Sequence, residues 1–86
     1  MNPTITLIEK KLNEALSPTM LHIEDDSAEH AGHANEGAGH YTVHITSPMF
    51  SGKKSIARHQ LVYNALGDLM KTHIHALRIR ANAPEE

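Results

Sequence analysis

The chain contains no cysteine and no tryptophan, and its only large aromatic residues are Tyr41, Phe50 and Tyr63. Without cysteine there is no disulfide scaffold, no thiolate nucleophile and no Cys-based zinc site. With three aromatics there is no stacking platform of the kind that holds single-stranded bases. No apolar run approaches the roughly 18 residues of a membrane span. The opening Met1-Asn2-Pro3-Thr4 lacks the charged and apolar regions of a secretory signal, so a reducing, cytoplasmic location is expected. No Gly-rich phosphate loop, Ser/His/Asp set or paired carboxylates can be argued from the spacings, so an enzyme is not expected. The 86 residues suffice for one domain, 1–86, which at this size buries only about 60% of the surface its unfolded chain exposes.

Charge is short and unevenly spread. Net charge is −2, which argues against a dedicated nucleic-acid binder. Residues 1–50 carry two basic side chains against seven acidic ones, whereas residues 51–86 carry six against three. What the chain has in quantity is histidine: eight, as many as lysine and arginine together. They are His22, His30, His33, His40, His44, His59, His73 and His75. Imidazole is the commonest metal ligand and titrates near neutrality, so their placement is the main question.

Periodicity supplies the frame. Asn2-Pro3 suits a helix start, and Ile5, Ile8, Leu12 and Leu16 mark one apolar face up to Ser17-Pro18. This predicts a helix over 3–16. Leu21 and Ile23 alternate with His22 and Glu24 as a short strand, and Tyr41, Val43 and Ile45 alternate with Thr42, His44 and Thr46 as a second. Between them, residues 27–39 are rich in Gly and Ala with no apolar period. A connection this long asks for a functional reason or for disorder. From Ser55 an amphipathic helix is expected to about Thr72, with His59, Val62, Tyr63, Leu66, Leu69 and Met70 on one stripe and Gly67 as an internal cost. His75, Leu77 and Ile79 then alternate with Ala76, Arg78 and Arg80 as a third strand, and 82–86 reads as a tail. The order α-β-β-α-β predicts an α+β domain. Strands 1 and 2 should be antiparallel, strands 2 and 3 parallel through a crossover, and both helices should cover one face of a three-stranded mixed sheet.

Three groups of residues could carry function. The first comprises the loop histidines His30 and His33, with His40 at the loop's far edge and His75 at the start of the third strand. An unpacked loop can bring imidazole to a metal, although exposed loop histidines commonly have no specific role. The second is Ser51, Gly52, Lys53 and Lys54 before the second helix, with Arg58 one turn on. It suits an anion or a phosphate backbone, set against the ordinary reading of a solvated turn. The third is His59, on the apolar stripe, where a satisfied core histidine competes with an interface role.

The stretch Phe50-Ser-Gly-Lys-Lys-Ser-Ile-Ala-Arg58-His59-Gln-Leu-Val-Tyr63-Asn-Ala-Leu66, with Ile74-His75-Ala-Leu77 after it, resembles the signature of the BolA family. Asp26-Ser27 with His30-Ala-Gly-His33, and the Ala83-Pro84-Glu85 ending, resemble it as well, so the likeness covers nearly the whole chain. The resemblance implies a fold similar to the class II KH fold. It also implies a monothiol glutaredoxin partner and a [2Fe-2S] cluster shared with that partner and glutathione, absent from the isolated chain. By the same resemblance His75 is one cluster ligand, and the second comes from the loop, most similar to His30, with His33 and His40 open. Two histidines on one iron raise the reduction potential relative to all-thiolate clusters. The family also includes proteins described as DNA-binding transcriptional regulators. The resemblance thus implies an alternative role through a surface of Ser51, Gly52, Lys53, Lys54 and Arg58, with Lys71 as a further candidate.

Overall fold

Asn2 opens the first helix in the manner its sequence suggests. In the computed structural model, which describes residues 2–26 and 39–86, its side chain accepts a hydrogen bond from the Thr4 N–H at 2.9 Å. Pro3 occupies the first turn, where a missing N–H leaves no bond unmade. The helix, α1 (Pro3–Leu16), buries Ile8, Leu12 and Leu16. It ends at Ser17, whose left-handed φ of 44° precedes Pro18.

β1 (Met20–Asp25) pairs antiparallel with β2 (Gly39–Thr46), setting His22 opposite His44 and Ile23 opposite Val43. β3 (Ile74–Asn82) pairs parallel with β2, so the sheet order is β1-β2-β3. Between β2 and β3 come a single 3₁₀ turn (Pro48–Phe50), α2 (Ser55–Leu66) and the one-turn α3 (Leu69–Thr72). Ile23, Tyr41, Val43 and Ile45 from the sheet meet Ile8, Leu12, Val62 and Leu66 from the helices, with Leu77 and Ile79 at the margin. Phe50 in the short turn is completely buried. Burying such a side chain is worth roughly 1.5–3 kcal/mol, enough to anchor a turn with little stability of its own. Ser47, also fully buried, donates to the Leu16 carbonyl at 2.6 Å and accepts from the Met49 N–H at 3.1 Å. That one hydroxyl ties the end of α1 to the end of β2.

The α+β architecture, the single mixed sheet and its covered face agree with the periodicity; three details differ. The second helix does not run to Thr72. Gly67, at φ 55° and ψ −126°, stops it, and α3 starts afresh after Asp68. The glycine read as an internal cost is therefore the break itself, adopting a backbone conformation that L-residues avoid. Tyr63, placed on the buried stripe by spacing, is 38% exposed, while Val62, Leu66 and Leu69 do face inward. Finally, residues 82–86 are not a loose tail. Asn82 completes β3, Ala83 is buried, and Glu86 folds back onto Arg58.

Candidate metal centre

β3 enters the sheet irregularly, and that irregularity places His75. Ile74 is the partner of Gly39, but the next pair is His40 with Ala76, so His75 is skipped. A bulge of this kind inserts one unpaired residue and re-aims its side chain. Strict alternation would group His75 with the inward-facing Leu77 and Ile79. The bulge lets Ile74 take the buried place and leaves His75 exposed. The His75 ring then stands beside that of His40, with centroids 5.2 Å apart and planes tilted by 39°.

The same corner holds both ends of the long β1–β2 connection. The Asp26 N–H donates to the His40 carbonyl at 2.7 Å, and the Gly39 N–H donates to the His73 carbonyl at 3.1 Å. Asp26 also accepts from the Thr42 hydroxyl at 2.5 Å. The chain thus departs for residues 27–38 and returns from them next to His40 and His75. His30 and His33 lie outside the described residues. Two imidazoles on one metal, with bonds of about 2.0–2.1 Å, have ring centres about 5 Å apart, so the His40–His75 spacing suits a shared ion. Among the described residues no group of three or more His, Asp or Glu side chains is placed so that it could hold a metal ion. The pair can supply part of a ligand set, and the remainder has to come from elsewhere.

The basic group is arranged differently from its sequence expectation. Lys53 and Lys54 are exposed ahead of α2, and Gly52 turns the chain at φ 76°. The α2 N-terminus has no side-chain cap, so its first N–H groups remain open. Arg58 is engaged elsewhere: it donates to the Lys53 carbonyl at 2.8 Å, to the Ala81 carbonyl at 3.1 Å, and to both Glu86 carboxylate oxygens at 2.7 and 2.5 Å. The Arg58 hydrogen bonds draw the Glu86 carboxyl down to about 2, and Glu86 in turn raises the Arg58 pKa. A guanidinium so committed fastens the C-terminal residues to α2 and is not presented to a phosphate. His59 is half-buried on α2, and Lys71 is exposed on α3.

One constellation escaped the reading of spacings. On the sheet face away from the helices, His22, Glu24 and His44 meet, with Glu24 Oε2 lying 2.9 Å from His44 Nε2. Alternation within each strand put these side chains on one face, but only the β1–β2 register makes them neighbours.

No helix among the described residues is long and apolar enough to cross a membrane. A family model described as "BolA-like protein" matches residues 12–86. The chain is 41% identical over 86 residues to SufE-like protein 1, chloroplastic/mitochondrial, of Arabidopsis thaliana, covering 92% of this chain and 23% of that protein. It is 36% identical over 81 residues to the DNA-binding transcriptional regulator BolA of Vibrio cholerae, covering 93% and 74%. The solved BolA domain of SufE1 from Arabidopsis thaliana superposes with a TM-score of 0.87 at 38% identity, covering 99% of this chain and 96% of that one. Three of the curated relatives extend well beyond the match, which spans 23%, 52% and 61% of their lengths. The match to the family model over most of the sequence, with these relatives, shows that the chain belongs to the BolA-like family.

Proposed function

We propose that the chain is a non-enzymatic adaptor in iron–sulfur cluster assembly, trafficking or sensing, which binds a monothiol glutaredoxin and shares a [2Fe-2S] cluster with it. The observation that carries this reading is the His40–His75 pair at the corner where residues 27–38 leave and rejoin the sheet. The donor set fits such a cluster. The chain has no thiolate to give, so one iron would take two imidazoles from here and the other the partner's cysteine and glutathione. When bound, the cluster supplies a one-electron centre whose potential two histidines raise relative to all-thiolate ligation.

His75 is the fixed ligand in this scheme, and the second is His30, His33 or His40. His40 already stands beside His75. His30 and His33 lie outside the described residues. The location belongs to the same proposal: a reducing compartment, the cytoplasm or an equivalent, with glutathione available. The test is anaerobic reconstitution of this chain with a monothiol glutaredoxin, iron, sulfide and glutathione, followed by visible circular dichroism. A spectrum distinct from that of the glutaredoxin homodimer supports the reading, and an unchanged homodimer spectrum at high excess of this chain contradicts it.

A DNA-binding regulator is the second reading, favoured by the exposed Lys53 and Lys54 before an uncapped helix N-terminus. It is weakened by the commitment of Arg58 to Glu86. Reversing both lysines to glutamate abolishes DNA affinity under this reading and leaves cluster assembly intact under the first. A steep salt dependence of DNA binding would speak for it.

A further inference from the structure

β3 is an edge strand, paired with β2 alone. On its β2 side the Asn82 carbonyl accepts from the Ser47 N–H at 3.0 Å. Backbone groups alternate in direction along a strand, so those of Leu77, Ile79 and Ala81 point to the open edge. Among the described residues the one bond reaching that edge from outside the sheet comes from Arg58, whose Nη1 donates to the Ala81 carbonyl at 3.1 Å. It closes the edge at the Ala81 end and leaves the N–H and C=O groups of Leu77 and Ile79 open to another strand.

The two faces of this edge differ in chemistry. Arg78 and Arg80 stand on the sheet face away from the helices, both exposed, and neither makes an ion pair or hydrogen bond among the described residues. Glu24 and Asp26 lie on the β1 side of the sheet and are engaged with His44 and Thr42. On the helix-covered face Leu77 and Ile79 are only partly buried, at the margin of the core. Residues 69–84 also carry Lys71, His73 and His75 and hold no acidic side chain. We propose that β3 takes up an added strand from an acidic protein segment in which Asp or Glu alternates with apolar residues.

Each half of that pattern answers one face. Alternate side chains of a strand lie about 6.6 Å apart, so carboxylates at i and i+2 repeat at the spacing of Arg78 and Arg80. The apolar residues between them fall on the other face, over the uncovered parts of Leu77 and Ile79. Main-chain bonds to Leu77 and Ile79 supply affinity, and the alternation supplies selectivity. Edge charges deter stray strands, and this like-charged pair does so selectively. A second β3 laid antiparallel about Ile79 would set arginine against arginine, whereas an acidic segment is attracted. A nucleic acid fits less well: β3 has no Phe, Tyr or Trp on which a base could stack, and phosphates have nothing to bury against Leu77 and Ile79. Residues 77–81 include no histidine, so the proposal does not depend on the cluster reading.

The test uses the full ¹⁵N-labelled chain and a short capped peptide of alternating Glu and Val. On titration, amide shifts should concentrate at residues 76–81, and solvent exchange of the Leu77 and Ile79 amides should slow. Arg78→Glu with Arg80→Glu should weaken binding at least about tenfold and should instead take up the peptide of alternating Lys and Val. The amide spectrum shows whether the variant is folded, and Arg78→Gln with Arg80→Gln serves if the reversal unfolds it. Binding that survives both changes, unaltered exchange at Leu77 and Ile79, shifts centred on Lys53 and Lys54, or equal displacement of the peptide by a DNA duplex would each overturn the proposal. So would protection of these amides that grows with protein concentration alone, which gives the edge to a second copy of the chain.

Discussion

His75 lies beside His40 because β3 carries one residue more than β2 needs: Gly39 pairs with Ile74 and His40 with Ala76, leaving His75 unpaired and its ring 5.2 Å from that of His40. The extra residue settles two requirements at once. Ile74 is free to fill the core, and the imidazole is turned to solvent.

Because His75 is exposed and its backbone position is set by the neighbouring pairs, His75→Ala should leave the fold nearly untouched. Its stability should fall within about 0.5 kcal/mol of the parent, as for other surface changes. Under the cluster proposal, cluster assembly with the glutaredoxin should nevertheless be lost. Chemical denaturation and visible circular dichroism on the same sample separate the two effects.

Arg58 and Glu86 give the chain a pH-dependent fastening. Glu86 is held down to about 2 from an ordinary 4.5, with the Arg58 hydrogen bonds as the main cause. A depressed carboxyl stabilises the fold above its unfolded value and ceases to do so as pH falls through its folded one. The parent should therefore melt higher than Glu86→Gln at neutral pH, and the gap should narrow as the pH drops from about 4.5 toward 2. Because the pair is solvent-accessible, added salt should shrink the gap as well. A gap independent of pH would contradict this assignment.

Much of the fold was legible in the residues. Ile8, Leu12 and Leu16 at helical spacing, and Tyr41, Val43 and Ile45 at strand spacing, state their own periods and proved to be core. The bulge was not legible. One residue inserted into a strand leaves the local pattern plausible in either phase, and only the pairing with β2 shows that Ile74 and not His75 takes the inward place. The end of α2 was obscured for a related reason. Leu69 and Met70 continue the helical spacing beyond Gly67, and α3 does bury Leu69. Likewise the Glu24–His44 contact depends on register, a long-range property that no spacing within one strand contains.

Gly67 provides a direct check on the break between α2 and α3. An added Cβ there meets nothing closer than the Asn64 carbonyl at 3.9 Å, so the penalty for alanine is conformational and not steric. Gly67→Ala should destabilise the chain by about 1–3 kcal/mol, the range for a residue forced into such backbone space. A urea midpoint shift at constant m-value would show it. A neutral result would mean that α2 runs on.

Ser47 should be similarly sensitive for a different reason. Its buried hydroxyl serves both the Leu16 carbonyl and the Met49 N–H. Ser47→Ala leaves both without that partner and should be destabilising by about 1–3 kcal/mol. Hydrogen exchange should quicken around residues 16 and 49 ahead of the central strand.

The most direct test of the cluster reading counts the nitrogens that this chain places on iron. With ¹⁵N-histidine incorporated into this chain alone, the mixed cluster would be assembled with an unlabelled glutaredoxin, reduced by one electron and measured by pulsed electron paramagnetic resonance. The account predicts two strongly coupled ¹⁵N nuclei in the parent and loss of the cluster, or of one coupling, in His75→Ala. A reduced cluster with no strongly coupled ¹⁵N would mean that all its ligands come from the partner and glutathione, contradicting the role assigned to His75.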